Sequence, residues 1–341
     1  MLTTIDLAYW LPVIFAALMV ISMFAYVILD GYDLGVGILL ELESNTHEKD
    51  KMIAAIGPFW DANETWLVLG VGLLLVAFPM AHGVILTALY LPVALMLLGL
   101  ILRGVAFDFR VKAQAHHQPL WNRLFFVGSL LATVSQGVML GRYLTGFAPG
   151  WGAWGFALLV GASLVAAYAL IGASWLIMKS TGALQQRAVV WAQRSVWFAA
   201  LAAVLVSIAT PWVSPRVFDL WFSLPNVFLL APVPIMSAAL FGVIAYSLPK
   251  LAQRQRNGND NFCWIPFAAT VSIVLLSFFG LVYSIFPHLV IDQLTIWQAA
   301  SSTEALQIMF FGAALVLPTI IGYTIYSYRV FWGKAGELSY Q

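Results

Sequence analysis

The sequence predicts an all-α integral membrane protein that forms one polytopic domain over residues 1–341. Hydrophobic residues make up 62% of the chain and charged residues only 9%, and the apolar runs are long and seldom interrupted. The hydrocarbon core of a bilayer is about 30 Å thick and takes roughly 20 apolar residues as a helix. Transmembrane β-strands would instead show alternating segments of about 10 residues. The apolar runs therefore favour helices over a barrel.

Hydropathy along the chain predicts about nine transmembrane helices. The predicted spans are 9–40, 59–79, 83–103, 122–142, 154–178, 195–213, 227–249, 263–286 and 304–328. The longest connections are a basic loop at 103–123 and the segment 287–303, and neither is long enough to form a separate domain. We therefore expect the function to be performed within the membrane or together with partners.

Charge placement predicts the orientation of these spans. Fourteen of the sixteen basic residues fall on one side: Lys49, Lys51, Arg103, Arg110, Lys112, Arg123, Lys179, Arg187, Arg194, Lys250, Arg254, Arg256, Arg329 and Lys334. Only Arg142 and Arg216 fall on the other side. Basic residues concentrate in cytoplasmic loops. We therefore expect an external N-terminus and a cytoplasmic C-terminus.

The first span contains two acids, Asp30 and Asp33, inside an apolar run. Tyr26 and both acids follow helical spacing, which places them on one face of the helix. Ionisable residues within a span are costly and usually face the bundle interior or water. Alternatively, the two acids lie at a helix end that is exposed to solvent. Gly31 and Gly35 form a GxxxG motif on an adjacent face, which is typical of close helix packing.

The second candidate cluster begins the second span, where Asp61 and Glu64 lie three residues apart. This spacing resembles a capping box, in which carboxylates stabilise a helix N-terminus. The competing hypothesis places these carboxylates with Asp30 and Asp33 in a hydrated cluster that accepts protons from the cytoplasm. Trp60 is either an interface anchor or a contact for a flat aromatic ligand.

The third candidate cluster, RGVAFDFR, ends the third span. Arg103 and Arg110 can be explained as ordinary basic residues at the cytoplasmic side of the membrane. Asp108 between them suggests a structural ion pair that joins the first three helices and reduces the cost of burying their charges.

No other recognisable chemistry accompanies these clusters. Cys263 is the single cysteine, which excludes an internal disulfide and a multi-cysteine metal site. The five histidines do not form a metal or haem ligand set, and the sequence carries no nucleotide-binding or nucleophile motif. A net charge of +1 shows no bias toward nucleic acid. We therefore expect a subunit that handles protons or a lipophilic ligand, without catalytic or metal-binding residues of its own.

Five segments are distinctive beyond their chemistry. They are LDGYDLGVGIL from Leu29, GPFWDANETWL from Gly57, RGVAFDFR from Arg103, WQAASS from Trp297 and LVLPTIIGYTIYSYRVFWG from Leu315. Together they resemble subunit II of the cytochrome bd family of quinol oxidases. The short loops and the GPFWDANETW segment are more similar to the cyanide-insensitive branch than to the longer-looped enterobacterial type.

The resemblance implies two four-helix bundles and one peripheral helix in a bacterial inner-membrane heterodimer with subunit I. Subunit I of that family holds two b-type haems, haem d and the quinol-oxidising loop. The complex oxidises quinol and reduces oxygen to water with protons drawn from the cytoplasm, which builds a proton gradient. The resemblance leaves room for a small single-helix accessory subunit.

The resemblance also implies roles for individual residues. Asp30 and Asp61 match family proton-pathway acids, and Asp33, Glu64, Arg103 and Asp108 match supporting positions. The family tolerates Gln where this chain has Glu64. Trp60 matches a position near the structural quinone that some members hold, which makes it a candidate quinone contact.

Two alternatives to a proton-conducting subunit stay open at this point. One is a purely structural scaffold for subunit I. The other is a proton-coupled secondary transporter, which would also place acids within spans but typically contains broken helices at the membrane midplane.

Overall fold

The computed structural model describes residues 6–114 and 116–336, and long helices account for most of them. The helices are α1 (Leu7–Leu39), α2 (Thr46–Ala54), α3 (Trp60–Ala77), α4 (Pro79–Lys112), α5 (Gln118–Leu144), α6 (Trp151–Lys179), α7 (Gly182–Val213), α8 (Pro215–Phe222), α9 (Asn226–Leu230), α10 (Pro232–Arg256), α11 (Ile265–Ile285), α12 (Ile296–Ala299) and α13 (Thr303–Val330). A 3-10 turn at Leu40–Leu42 follows α1, and strands β1 (His288–Val290) and β2 (Leu294–Thr295) form a short antiparallel hairpin.

The all-α membrane class is confirmed. Eight helices in the described ranges are long and apolar enough to cross a bilayer. The predicted span at 59–79 corresponds to α3, which has 18 residues and a polar beginning, and which is not among those eight. The predicted count of nine transmembrane helices therefore stays a prediction.

Four connections differ from their prediction. Helix α4 continues to Lys112, so the first half of the predicted basic loop at 103–123 is helical. Helix α7 already begins at Gly182, where the sequence predicts a connection up to residue 194. The connections also contain α2 and the β1–β2 hairpin. Helices in these places extend beyond the apolar core, where hydropathy no longer marks them.

The long helices pack as two groups of four. Helices α1, α3, α4 and α5 contact one another in a ring, and α6, α7, α10 and α11 form a second ring. The α1–α6 and α5–α6 contacts join the two groups. Helix α13 lies outside both and contacts α1, and its most apolar stretch has no buried residue.

Glycines permit the closest approaches between helices. A Cβ atom on Gly35 would overlap the carbonyl oxygen of Tyr168 in α6, and one on Gly172 would overlap the backbone of Gly35. Gly99 of α4 and Gly128 of α5 form an equally close crossing. The predicted packing role of the GxxxG motif in α1 is confirmed at Gly35. The first crossing fixes α1 against α6, and the second fixes α4 against α5.

Contacts between loops define two ends of the molecule. At the first, which we call the basic end, Lys179 Nζ donates to the carbonyl of Phe331 and Arg110 pairs with Asp50. At the other, which we call the opposite end, Trp297 donates its indole N–H to the carbonyl of Tyr9. Helix α1 begins at the opposite end and α13 finishes at the basic end.

Candidate functional site

An ion pair between α1 and α4 forms the centre of the candidate site. Arg103 Nη1 donates to Asp30 Oδ1 at 2.6 Å, and both side chains are buried. Asp30 lies nine residues before Leu39 and Arg103 nine residues before Lys112. At 1.5 Å per residue the pair lies about 13 Å along each helix from its end. Both charges are therefore held inside the bundle.

Helix α3 connects this ion pair to the protein surface. Glu64 Oε2 lies 3.8 Å from Arg103 Nη2, and the Glu64 side chain is 29% exposed. Asp61, one turn earlier on the same helix, is exposed. Three carboxylates thus lie at increasing depth, from Asp61 through Glu64 to Asp30.

Asp61 is not drawn into the buried cluster with Asp30, as the cluster hypothesis required. The capping-box interpretation is also wrong, because the residue before α3 is Phe59 and no side chain caps the helix. Asp61 does lie in the first turn of α3, where a negative charge stabilises the helix dipole.

Asp33 belongs to a second polar group, one turn along α1 from Asp30. Asn63 Nδ2 donates to Asp33 Oδ2 at 2.8 Å and to the Tyr32 hydroxyl at 2.7 Å. The Tyr328 hydroxyl of α13 donates to Asn63 Oδ1 at 3.0 Å and lies 2.5 Å from the Tyr32 hydroxyl. Asn63, Tyr32 and Tyr328 therefore form a closed ring of hydrogen bonds that holds one oxygen of Asp33.

A third polar group lies one turn before Asp30 on α1. Gln136 Nε2 donates to the Tyr26 hydroxyl at 2.7 Å, and the Tyr168 hydroxyl donates to Gln136 Oε1 at 2.9 Å. All three side chains are buried. The group links α1, α5 and α6 directly beside the ion pair.

Several buried polar atoms at the site have no hydrogen-bond partner among the described residues. They are Asp30 Oδ2, Asp33 Oδ1 and Arg103 Nη2. A buried polar atom without a partner carries a substantial desolvation cost, and an ionised one a larger cost. A water molecule or, on the carboxylate oxygens, a proton would remove that cost. The arrangement is therefore suited to bind water and protons.

Arg103 pairs with carboxylates on the first two spans, as the sequence predicts for an ion pair that joins the first three helices. The expected participation of Asp108 in that pair is wrong. Asp108 is exposed and forms no ion pair with the described residues. Arg110 instead donates to Asn122 Oδ1 at 2.6 Å and to Asp50 Oδ1 at 2.7 Å. Because α4 continues as a helix, Asp108 lies on its outer face while Arg103 and Arg110, seven residues apart, share the inner face.

Trp60 covers the ion pair from the surface side. Its ring lies 5.8 Å from the guanidinium carbon of Arg103 and 5.0 Å from the Phe107 ring. The side chain is half-buried, so one part shields Arg103 and another faces outward. Its role as a quinone contact stays a prediction.

Sequence reasoning missed several of these residues. Spacing along the chain does not identify Asn63 or Tyr328 as part of the site, and a polar residue in a later span, such as Gln136, is typical of helix packing. The position of Asn63 between two acids, on the buried side of α3, was an available signal. Tyr328 is separated from Asn63 by 265 residues, and a single sequence carries no signal for such a contact. Within the described ranges, no group of three or more His, Cys, Asp or Glu side chains could hold a metal ion.

Comparisons with known proteins agree on one family. Residues 11–331 match the family model of cytochrome bd terminal oxidase subunit II. Cytochrome bd ubiquinol oxidase subunit 2 from Bacillus subtilis (strain 168) is 29% identical over 330 residues, which is 92% of this chain and 94% of that protein. Cytochrome bd-I ubiquinol oxidase subunit 2 from Escherichia coli (strain K12) is 26% identical over 361 residues, with 92% of each chain covered.

A solved structure shows the same fold. The bd oxidase from Geobacillus thermodenitrificans contains a chain that matches with a TM-score of 0.75 at 20% sequence identity. The match covers 94% of this chain and 98% of that chain. At this identity the likeness supports the helical architecture and carries no residue roles.

Proposed function

This chain belongs to the family of cytochrome bd terminal oxidase subunit II, and on that premise we propose that its acidic cluster takes up protons for oxygen reduction in the complex. The chain is thus a multi-pass membrane subunit of an oxidoreductase that assembles with subunit I. Quinol oxidation and oxygen chemistry would be supplied by the haem groups expected on subunit I. Family membership also removes the reason to consider a secondary transporter.

The observation that carries the proposal is the charge balance around Arg103. Asp30 and Glu64 both pair with the single guanidinium of Arg103, and the buried Asp33 lies one turn along α1 from Asp30. If all three carboxyl groups were ionised, two negative charges would lack a cationic partner in a low-dielectric interior. Like charges disfavour each other's ionised forms. A proton entering this cluster would therefore be stabilised.

The graded exposure of the carboxylates gives the direction of transfer. Asp61 is exposed, Glu64 is partly exposed, and Asp30 is fully buried. A proton captured at Asp61 would pass by way of Glu64 or water to Asp30 beside Arg103. Arg103 stays charged throughout, since its guanidinium does not release a proton in proteins. It would hold Asp30 in place and oppose the accumulation of excess protons.

The rival proposal is a scaffold, in which the Asp30–Arg103 pair only joins helices. The two proposals predict different results for a change at Asp61. Among the described residues this side chain has no hydrogen-bond or ion-pair partner, so a scaffold would not depend on its charge. Asp61→Asn keeps the size of the side chain and removes its titratable group. Asp108→Asn is the matched control, since Asp108 is also an exposed acid near the same end of the bundle.

The experiment measures quinol-driven oxygen consumption and proton uptake by the purified complex in proteoliposomes, with haem content determined for each variant. We expect Asp61→Asn to retain its haems and to lose oxygen consumption and proton uptake several-fold, while Asp108→Asn resembles the parent. If Asp61→Asn retains full activity and proton uptake, the route through Asp61 is wrong and the scaffold is favoured.

A further inference from the structure

A groove on the outer surface of the second bundle lies between α7 and α10, toward the basic end. Its volume is about 760 Å³. Gln186, Val190 and Gln193 line it from α7, and Gln253 and Arg256 line it from α10. The α7 residues follow spacings of four and three, so they form one continuous stripe along that helix. The groove therefore runs parallel to the two helices.

The residues that line the polar part of the groove include two arginines and three glutamines and no acid. Arg187 and Arg256 both contribute to its lining, and no Asp or Glu does. Arg187 Nη1 is bound to Glu43 at 2.5 Å. Arg256 is exposed and has no ion-pair partner within the described ranges. An anion would therefore find one unpaired guanidinium, a second guanidinium nearby and three glutamine amides.

The groove becomes apolar away from the basic end. Val190 is 43% exposed, and further along the two helices Trp197 and Tyr246 are 69% and 67% exposed. Beyond Trp197 the outer face of α7 carries exposed apolar side chains, including Leu201, Val204 and Ile208. A small soluble anion would use only the polar part of this surface. An amphiphile with an anionic head and apolar chains would use all of it.

We propose that this groove binds an anionic phospholipid, with its phosphate at Arg256 and Arg187 and its acyl chains along α7 and α10. Guanidinium groups match phosphate oxygens in geometry and charge. Basic pockets between transmembrane helices on the cytoplasmic side recognise anionic headgroups. Trp197 and Tyr246 have the amphipathic rings that favour the membrane interface.

The test uses the purified two-subunit complex in nanodiscs that contain a photoreactive phosphatidylglycerol or, in parallel, a photoreactive phosphatidylcholine. After illumination, the labelled peptides are identified by mass spectrometry. We expect phosphatidylglycerol to label peptides from 182–197 and 249–256 more strongly than phosphatidylcholine does. Arg256→Gln should reduce that labelling about fivefold, the change expected for loss of one cation at an anionic surface.

Arg254→Gln is the matched control, because Arg254 lies over the ring of Phe262 at 5.1 Å and does not line the groove. It should leave the labelling unchanged, and Arg256→Lys should restore most of it. Equal labelling by the two lipids, or an unchanged signal in Arg256→Gln, would overturn the proposal. Labelling of other peptides only by phosphatidylglycerol would also overturn the proposal, and it would indicate that a protein partner covers the groove.

Discussion

Arg103 determines how the interior of the first bundle tolerates acids. It is buried and pairs with Asp30, while Glu64 approaches from α3. A buried ion pair pays a large desolvation penalty, so its presence alone is weak evidence for stability. Removing Arg103 is different, because the Asp30 carboxylate would then stay buried without a cationic partner. The burial of Asp30 therefore depends on Arg103.

This dependence leads to a prediction for two single variants and their combination. Arg103→Gln should destabilise the folded subunit by about 3–5 kcal/mol, the usual result of leaving one charge of a buried pair unpaired. Asp30→Asn should destabilise it by less, because Glu64 lies 3.8 Å from Arg103 and can still balance its charge. The double variant should be destabilised by less than the sum of the two. Thermal unfolding and haem retention of the purified complex measure these effects. Additive losses would show that the two side chains do not depend on each other.

Predictability from sequence varied among the residues of the site. The burial of Asp30 and Asp33 could be predicted, because an acid within an apolar span usually faces the interior of the helix bundle. The exposure of Asp61 could not be predicted, since it depends on where α3 begins and how it rotates. The pairing of Asp108 was wrong because Arg103 and Arg110 find carboxylates on other helices, at Asp30 and Asp50. Pairs of this kind follow from tertiary packing, which spacing along one helix does not specify.

At the scale of elements, α13 is attached to the molecule in an unusual way. Its most apolar stretch has no buried residue, yet Tyr328 near its end reaches the buried Asn63 and Tyr32. The Tyr328 ring also stacks on Phe59 at 4.6 Å. The peripheral helix thus contributes a hydrogen bond to the group that holds Asp33. The position of α13 and the geometry of Asp33 are therefore coupled.

Tyr328→Phe should test that coupling. The variant keeps the stacked ring but leaves Asn63 Oδ1 without its donor, which should cost about 1–3 kcal/mol. Hydrogen exchange in the basic-end half of α13 should increase, and so should exchange around residues 59–63. Tyr326→Phe is the control, because Tyr326 lies on the same helix and is 66% exposed. Equal exchange in both variants would mean that the Tyr328 hydroxyl contributes nothing to docking.

The long helices were predictable, because a membrane-spanning helix needs about 20 apolar residues and such runs are visible in the sequence. Each predicted span overlaps an observed helix. The ends of the elements were less predictable. Helix α7 starts with Gly182 and carries Gln185 and Arg187 in its first two turns, a composition that hydropathy assigns to a loop. The short helix α2 is polar throughout its exposed face and has an Asn45 side-chain cap. Capping and ion pairs, and not apolar content, determine where such helical segments form.

At the scale of the whole molecule, α1 joins the two bundles. It contacts α3 and α5 in the first bundle and α6 in the second, and the crossing at Gly35 and Gly172 brings α1 and α6 into backbone contact. The same helix carries Asp30, Asp33, Tyr26 and Tyr32. Tyr26 and Tyr32 therefore lie along the seam between the bundles, where α6 contacts them, whereas Asp30 faces Arg103 inside the first bundle.

The two ends of this seam should face different compartments. Basic side chains concentrate at the end where Lys179 and Arg110 make their contacts, and cytoplasmic loops carry the excess of Lys and Arg. A proton entering at Asp61 and moving to Asp30 requires that this end be cytoplasmic. Exposed Ser223 lies between α8 and α9 at the opposite end, and exposed Asn257 follows α10 at the basic end. These positions can report the orientation.

In a Cys263→Ser background, we expect Ser223→Cys to react with a membrane-impermeant thiol reagent in intact spheroplasts, and Asn257→Cys to react only after permeabilisation. The single native cysteine makes this background available with one substitution. The reverse pattern would place the basic end outside and would contradict both the charge argument and uptake from the cytoplasm through Asp61. Equal reaction at both positions before permeabilisation would contradict the division of the molecule into two membrane faces. The orientation thus decides whether protons that enter beside Arg103 come from the compartment that the proposed function requires.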